Sequence, residues 1–185
     1  MSERIHRAID LAARAHADQK RKDSDIQIPY VAHVYSVAML LARHGFPEDV
    51  VIAGLLHDVL EDSPSFTPEV ESFGEKVFRW VETVTDPHKS QSSEEKIPWE
   101  ERKKVYIEQI RRGDPEAKAV ACADKIHNME SRWMSLERGA AQHFSRPLDV
   151  QVRYWRRVRE AFGDWRHPML ERYDELLKRL GEINK

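Results

Sequence analysis

Apolar residues recur every three or four positions along most of the chain, a spacing typical of amphipathic helices. Helices are predicted over 3–18, from Pro29 through Ala42, over 50–62 and over 68–84 (one or two helices), from Pro98 to Gly113, from Pro115 through Met129, and over 149–162 and 168–181. Glycine is scarce and no alternating apolar pattern stands out. We therefore predict an all-α fold of about eight helices, in a single domain over residues 1–185.

The third predicted helix carries polar residues where a core should exclude them. Val50 to Leu56 is apolar apart from one glycine, as in a buried helix. On a helix with His57 at 0°, Glu61 lies at about 40°, Asp58 at about 100° and Asp62 at about 140°, so all four share one side. Buried polar groups need partners, and buried charges need counter-charges or a metal. The segment is a candidate metal site with acid–base groups beside it; the alternative is a helix end in which His57 bonds a carbonyl and the acids are solvated.

Two further polar side chains interrupt apolar helices, His33 in the second helix and Asp124 in a late one. Together with His57 and Asp58 they offer two imidazoles and two carboxylates, which suit Mn²⁺, Fe²⁺ or Zn²⁺ with positions left for water. The lack of thiolate clusters argues against a closed structural zinc site. The single cysteine, Cys122, lies about 200° from Asp124 on a helix and is predicted to face the core.

Composition narrows the class of protein. Hydrophobic residues make up 41% and charged residues 34% of 185 positions, which is typical of a globular domain with a charged surface. The net charge of -2, without a basic block, argues against sequence-independent binding of nucleic acid. No apolar run is long enough to span a membrane, and the first residues lack an apolar signal region. With one cysteine and no possible intrachain disulfide, we expect a cytoplasmic protein.

The order His, His-Asp, Asp resembles the signature of the HD superfamily of metal-dependent phosphohydrolases. The motifs that carry the resemblance are Arg21-Lys22, Pro29-Tyr30-Val31-Ala32-His33, Leu55-Leu56-His57-Asp58-Val59-Leu60-Glu61-Asp62, Val84-Thr85-Asp86 and Ala123-Asp124-Lys125-Ile126-His127-Asn128-Met129. They resemble most closely the hydrolase domain of Rel/SpoT proteins and the stand-alone small alarmone hydrolases, over roughly residues 5–165. The acidic pair Glu61-Asp62 sets this branch apart from most HD proteins.

The resemblance implies a role for each motif. The ligands of a Mn²⁺ ion would be His33, His57, Asp58 and Asp124. The catalytic pair Glu61 and Asp62 would position or deprotonate the attacking water. The contacts to a nucleotide substrate would come from Arg21, Lys22, Asn128 and Tyr154. The implied reaction removes the 3′-diphosphate of ppGpp or pppGpp, giving GDP or GTP and pyrophosphate; without a synthetase domain after the hydrolase domain, such an enzyme would only degrade the alarmone.

Several interpretations stay open at this point. The segment from Arg21 to Pro29 is one residue longer than the family pattern, and residues 88–96 do not align with it. One alternative is an HD phosphatase acting on NADPH or a deoxynucleotide, and another is an inactive module that retains the metal and senses nucleotides. His16 either packs or touches substrate. His127 either supports a metal ligand or, in the interpretation we favour, is solvated. The charged run 100–104 is interpreted as a solvated helix face.

Overall fold

The computed structural model describes residues 2–21, 27–86, 97–139 and 146–183. In these ranges the chain forms helices joined by turns and loops, with one isolated antiparallel bridge between Lys20 and Pro29. The α-helices are α1 (Glu3–Ala15), α2 (Val31–Arg43), α3 (Glu48–Leu56), α4 (Val59–Asp62), α5 (Thr67–Glu71), α6 (Glu75–Val84), α7 (Trp99–Arg112), α8 (Pro115–Glu137), α9 (Leu148–Ala161) and α10 (Met169–Glu182), with a 3₁₀ turn (Pro64–Phe66) after α4. Within these described ranges eight helices have nine residues or more. The prediction of an all-α fold of about eight helices is confirmed.

Proline and glycine delimit the helices around the middle of the chain. Pro98 directly precedes α7 and Gly113 follows its last residue. Asp114 then occupies the N-cap position of α8, whose first residue is Pro115. A proline at the first helical position loses no helical hydrogen bond, because the amide there has no partner within the helix. The positions of these two helix starts could therefore be read from the sequence.

The third predicted helix is interrupted, which the apolar pattern did not indicate. α3 ends at Leu56 and α4 begins at Val59. His57 and Asp58, between them, keep right-handed backbone angles (φ -58°, ψ -29° and φ -99°, ψ -2°). The amide of Asp62 donates to the carbonyl oxygen of Asp58 at 2.9 Å. The backbone thus continues as a distorted right-handed turn that carries α4 directly after the His-Asp pair.

The core is built around α3 and α8. Helices α2 and α6 pack on both of them, α1 packs on α3, α10 packs on α8, and α7 pairs with α9. Gly54 allows α3 to approach α2 closely, because a Cβ atom there would lie 2.5 Å from Cδ1 of Leu41 and 3.5 Å from the Cα of Ala38. Cys122 is buried, as predicted. Across the described ranges, every helix is too short or too polar to cross a bilayer.

Candidate active site

Four polar side chains from three parts of the chain converge inside the bundle. His33 comes from α2, His57 and Asp58 from the junction of α3 and α4, and Asp124 from α8. Ligand atoms of the first three all lie within 4.8 Å of one another. Oδ1 of Asp124 lies 3.2 Å from Nε2 of His33 and 3.8 Å from Nε2 of His57. The residues that the sequence singled out as metal ligands are therefore brought together at one centre.

The His57 ring is oriented by its own helix. Nδ1 lies 2.8 Å from the carbonyl oxygen of Gly54 and donates to it, so Nε2 faces the centre. Nε2 is buried and makes no hydrogen bond of good geometry with any described residue, although Oδ2 of Asp58 lies 3.0 Å away. A buried polar atom needs a partner, and a divalent cation at this centre would supply one. The hydrogen bond from His57 to a carbonyl oxygen, which the sequence offered as an alternative to metal binding, thus supports metal binding through Nε2.

A second layer of contacts holds the other three side chains. The Tyr30 hydroxyl donates to Oδ2 of Asp58 at 2.6 Å, and Nδ2 of Asn128 donates to Oδ1 of Asp124 at 2.5 Å. Nδ1 of His127 lies 2.8 Å from Nδ1 of His33. Contacts of this kind orient metal-binding side chains and select the ring tautomer. The interpretation of His127 as solvated is wrong, because its ring bonds to His33.

Opposite charges support one another across the centre. Burial disfavours the charge on His57, but the carboxylate of Asp58 raises the pKa of His57 to about 9. Burial likewise opposes the charge on Asp58, and the neighbouring His57 and His33 nevertheless hold the pKa of Asp58 well below its ordinary value. Burial disfavours the charge on Lys125 as well, but the neighbouring carboxylate of Asp124 raises the pKa of the lysine well above its usual range. The centre is therefore a site where carboxylates stay ionised and attract cations.

Glu61 and Asp62 lie on α4, beside the four convergent side chains. Oε2 of Glu61 accepts a hydrogen bond from the backbone amide of Asp86 at 3.0 Å. Oδ2 of Asp62 accepts one from Nε2 of Gln19 at 2.8 Å, and Oε1 of Gln19 lies 2.7 Å from Nδ1 of His16. His16 is buried, so it packs behind Asp62 and holds the amide that orients this carboxylate. Gln19 was not singled out in the sequence.

The residues predicted to contact the substrate differ in their position relative to the centre. Arg21 is half-buried and its backbone amide donates to the carbonyl oxygen of Ile28 at 2.9 Å. Lys22 lies outside the described residues, as do residues 87–96. Tyr154 is buried, with its ring 5.6 Å from that of Trp99 and 6.4 Å from that of Tyr106. Asn128 is tied to Asp124, so its amide borders the centre. Their roles in substrate binding stay predictions.

Two cationic side chains near the centre, those of Arg102 and Lys103, were not identified in the sequence analysis. Arg102 and Lys103 both bond to Oδ2 of the buried Asp86, at 2.6 Å and 3.2 Å. The interpretation of residues 100–104 as a solvated helix face is therefore wrong at these two positions, whose side chains are 19% and 18% exposed. Their partner Asp86 lies sixteen and seventeen residues earlier in the chain. Val84-Thr85-Asp86 stood out as a motif, but no pattern indicated which cations it would meet.

Known proteins share both the sequence and the architecture. The sequence profile of the HD domain family matches residues 8–146. The chain is 38% identical over 139 residues to the Homo sapiens guanosine-3′,5′-bis(diphosphate) 3′-pyrophosphohydrolase MESH1. This match covers 74% of this chain and 73% of that protein. It is 30% identical to the guanosine-3′,5′-bis(diphosphate) 3′-pyrophosphohydrolase of Aquifex aeolicus, a match that covers 100% of this chain and 27% of the longer bacterial protein.

Two solved structures have the same fold. A metazoan orthologue of SpoT that hydrolyses ppGpp superposes with a TM-score of 0.79 at 26% identity, covering 98% of this chain and 97% of that one. A protein of Listeria monocytogenes EGD-e superposes with a TM-score of 0.70 at 33% identity, covering 83% of this chain and 96% of that one. On these matches and on the His, His-Asp, Asp centre, the chain belongs to the HD domain family of hydrolases, and within it to the branch that includes the MESH1-type guanosine-3′,5′-bis(diphosphate) 3′-pyrophosphohydrolases.

Proposed function

We propose that this protein is a Mn²⁺-dependent guanosine-3′,5′-bis(diphosphate) 3′-pyrophosphohydrolase that converts ppGpp or pppGpp to GDP or GTP and pyrophosphate. The observation that carries the proposal is the position of Glu61 and Asp62, which two separate hydrogen bonds hold beside the four convergent side chains. The relatives whose names state this activity span most of the chain.

The donor set fits a divalent ion. Two imidazole Nε2 atoms and two carboxylates face one another, and the buried Nε2 of His57 has no well-formed hydrogen bond to a described residue. Mixed nitrogen and oxygen ligands suit Mn²⁺, Fe²⁺ and Zn²⁺, and Mn²⁺ is our choice because carboxylate ligands favour it. When bound, such an ion neutralises phosphate charge and makes water more acidic.

The chain's own residues then divide the work. Glu61 and Asp62 orient the attacking water and accept its proton, while Asn128, which donates a hydrogen bond to Asp124, bonds the ribose. Water attacks the phosphorus attached to the 3′ oxygen, the bond from phosphorus to that oxygen breaks, and the oxygen takes up a proton. The products are a free 3′-hydroxyl and pyrophosphate. The hydrogen bonds from Gln19 and from the Asp86 amide would hold these two carboxylates in place for the reaction.

A panel of substrates tests the proposal. The purified protein is incubated with Mn²⁺ and ppGpp, pppGpp, NADPH or a deoxynucleoside monophosphate, and the products are identified by chromatography. We expect intact pyrophosphate from ppGpp and pppGpp, at a higher kcat/KM than for the other two compounds. Faster release of orthophosphate from NADPH or the deoxynucleotide, with ppGpp left intact, would refute the assignment of ppGpp as the substrate. Binding of ppGpp without turnover would support a sensing module instead.

A further inference from the structure

The proposed reaction leaves a charge to be balanced. If the four convergent side chains hold a divalent ion, their two carboxylates offset its charge. Glu61 and Asp62 then add two negative charges next to the ion. A 3′-diphosphate brings still more negative charge to the same place, and like charges at short range in a partly buried site repel strongly. Additional cations are needed where the leaving group sits.

The cationic cluster on α7 and α8 supplies them. Its members are Arg102, Lys103 and Lys125, and its counter-ion on the α7 side is Asp86. Asp86 is 1% exposed and holds Arg102 and Lys103 with one carboxylate oxygen, so both cations are fixed in place rather than spread through solvent. The three cations pair with two carboxylates, Asp86 and Asp124, so they outnumber these partners and the cluster carries positive charge toward the site.

The cluster adjoins the reaction centre from two sides. The backbone amide of Asp86 bonds to Glu61, and the ammonium group of Lys125 bonds to Asp124. Nζ of Lys103 lies 5.4 Å from the ring centroid of Tyr106, and Nζ of Lys125 lies 4.7 Å from the same centroid. The two ammonium groups therefore sit around one ring. Lys103 is linked through Asp86 to Glu61, and Lys125 is bonded directly to the predicted ligand Asp124.

An unsatisfied hydroxyl lies in the same place. Both ammonium groups are also close to the ring of Tyr154, at 5.6 Å for Lys103 and 5.9 Å for Lys125. Tyr154 is 9% exposed, and its hydroxyl finds no hydrogen-bond partner among the described residues. A buried hydroxyl without a partner is costly in free energy, and a phosphate oxygen between the two ammonium groups would accept a hydrogen bond from it.

We infer that Lys103 and Arg102, with Lys125 and the Tyr154 hydroxyl beside them, bind the outer phosphate of the leaving 3′-diphosphate, the one not attached to ribose. The inference rests on the proposed function and extends it, because it makes the cluster the element that distinguishes a 3′-diphosphate from a 3′-monophosphate. Asp86 is then a positioning residue, since it holds the two α7 cations and, through its amide, Glu61.

The test compares two substrates that differ by this phosphate alone. The kcat/KM values of wild type and Lys103→Gln are measured on ppGpp and on guanosine 5′-diphosphate 3′-monophosphate. A charge-assisted hydrogen bond is worth about 1.5–3 kcal/mol, so ppGpp turnover should fall roughly 10- to 100-fold. For the 3′-monophosphate, kcat/KM should change less than about threefold, because this substrate does not reach the cluster. Lys103→Arg, which keeps the charge, should recover most of the loss.

Lys104→Gln is the matched control, because it removes the same charge from the next, exposed position of α7. It should leave both substrates unaffected. Equal losses on the two substrates in Lys103→Gln, no loss on ppGpp, or the same loss in Lys104→Gln would overturn the inference.

A second measurement separates this inference from the proposed function. If the wild type cleaves neither nucleotide, the proposed function fails, and calorimetric binding of inorganic pyrophosphate to the Mn²⁺-loaded protein decides about the cluster. Weaker binding in Lys103→Gln than in wild type and Lys104→Gln supports the pyrophosphate site. Equal binding in all three proteins refutes it.

Discussion

The substitution Asp124→Asn tests the centre most directly, because it keeps the shape of the side chain and removes its charge. Asp124 pairs with Lys125, whose side chain is 10% exposed. Removing one partner of a buried ion pair costs about 3–5 kcal/mol, since the other charge is left without compensation. The Tyr106 ring, 4.7 Å from the ammonium group, still stabilises that charge in part. We therefore expect the metal-free variant to lose about 3 kcal/mol in its free energy of unfolding, the lower end of that range.

The assay is denaturant unfolding of both proteins in excess chelator, with elemental analysis of the proteins purified without it. The variant should also lose its divalent ion, because one of four ligands has become a neutral amide. A double variant, Asp124→Asn with Lys125→Met, provides the control: it should regain most of the stability and none of the metal. Unchanged stability of Asp124→Asn in chelator would refute the argument from the ion pair. Full metal content in that variant would refute the ligand assignment.

Three further predictions concern neighbouring groups. Glu61→Gln and Asp62→Asn should each keep the ion and lower kcat by roughly 10²–10⁴, measured with elemental analysis alongside steady-state kinetics; loss of the ion instead would make the residue a ligand. His127→Phe removes the hydrogen bond to His33 and should weaken metal binding by about 10- to 100-fold in a competition titration with a chelating dye, whereas equal affinity would show that His33 needs no such support. In the metal-free protein the pKa of His57 is raised to about 9, above its ordinary 6.5, so its contribution to stability is complete below pH 6.5 and is lost as pH rises through 9. Metal binding must displace this proton, and the apparent affinity should rise by about tenfold per pH unit between those values, which a flat profile would contradict.

Much of the site could be predicted because its residues are polar and their neighbours in the sequence are apolar. His33, His57 and Asp124 each interrupt an apolar helical run, and polar residues survive there only with partners. The spacing of four between Asp124 and Asn128 predicts one helix face, and the structure joins the two side chains by a hydrogen bond. The helix starts directly after Pro98 and at Pro115 followed from local backbone chemistry alone. These features depend on neighbours within a turn or two, which a sequence displays.

The tertiary structure decided which distant side chains meet. His127 lies 94 residues from His33, and Gln19 lies 43 residues from Asp62, yet each pair is joined by a hydrogen bond. Whether a charged position on α7 faces water or Asp86 depends on how α6 and α7 pack, and helical periodicity places a residue on a face without saying what that face meets. The sequence by itself determined the helical class, the convergent acids and imidazoles and the family; the packing of the helices determined the contacts that orient them and the cations that surround them.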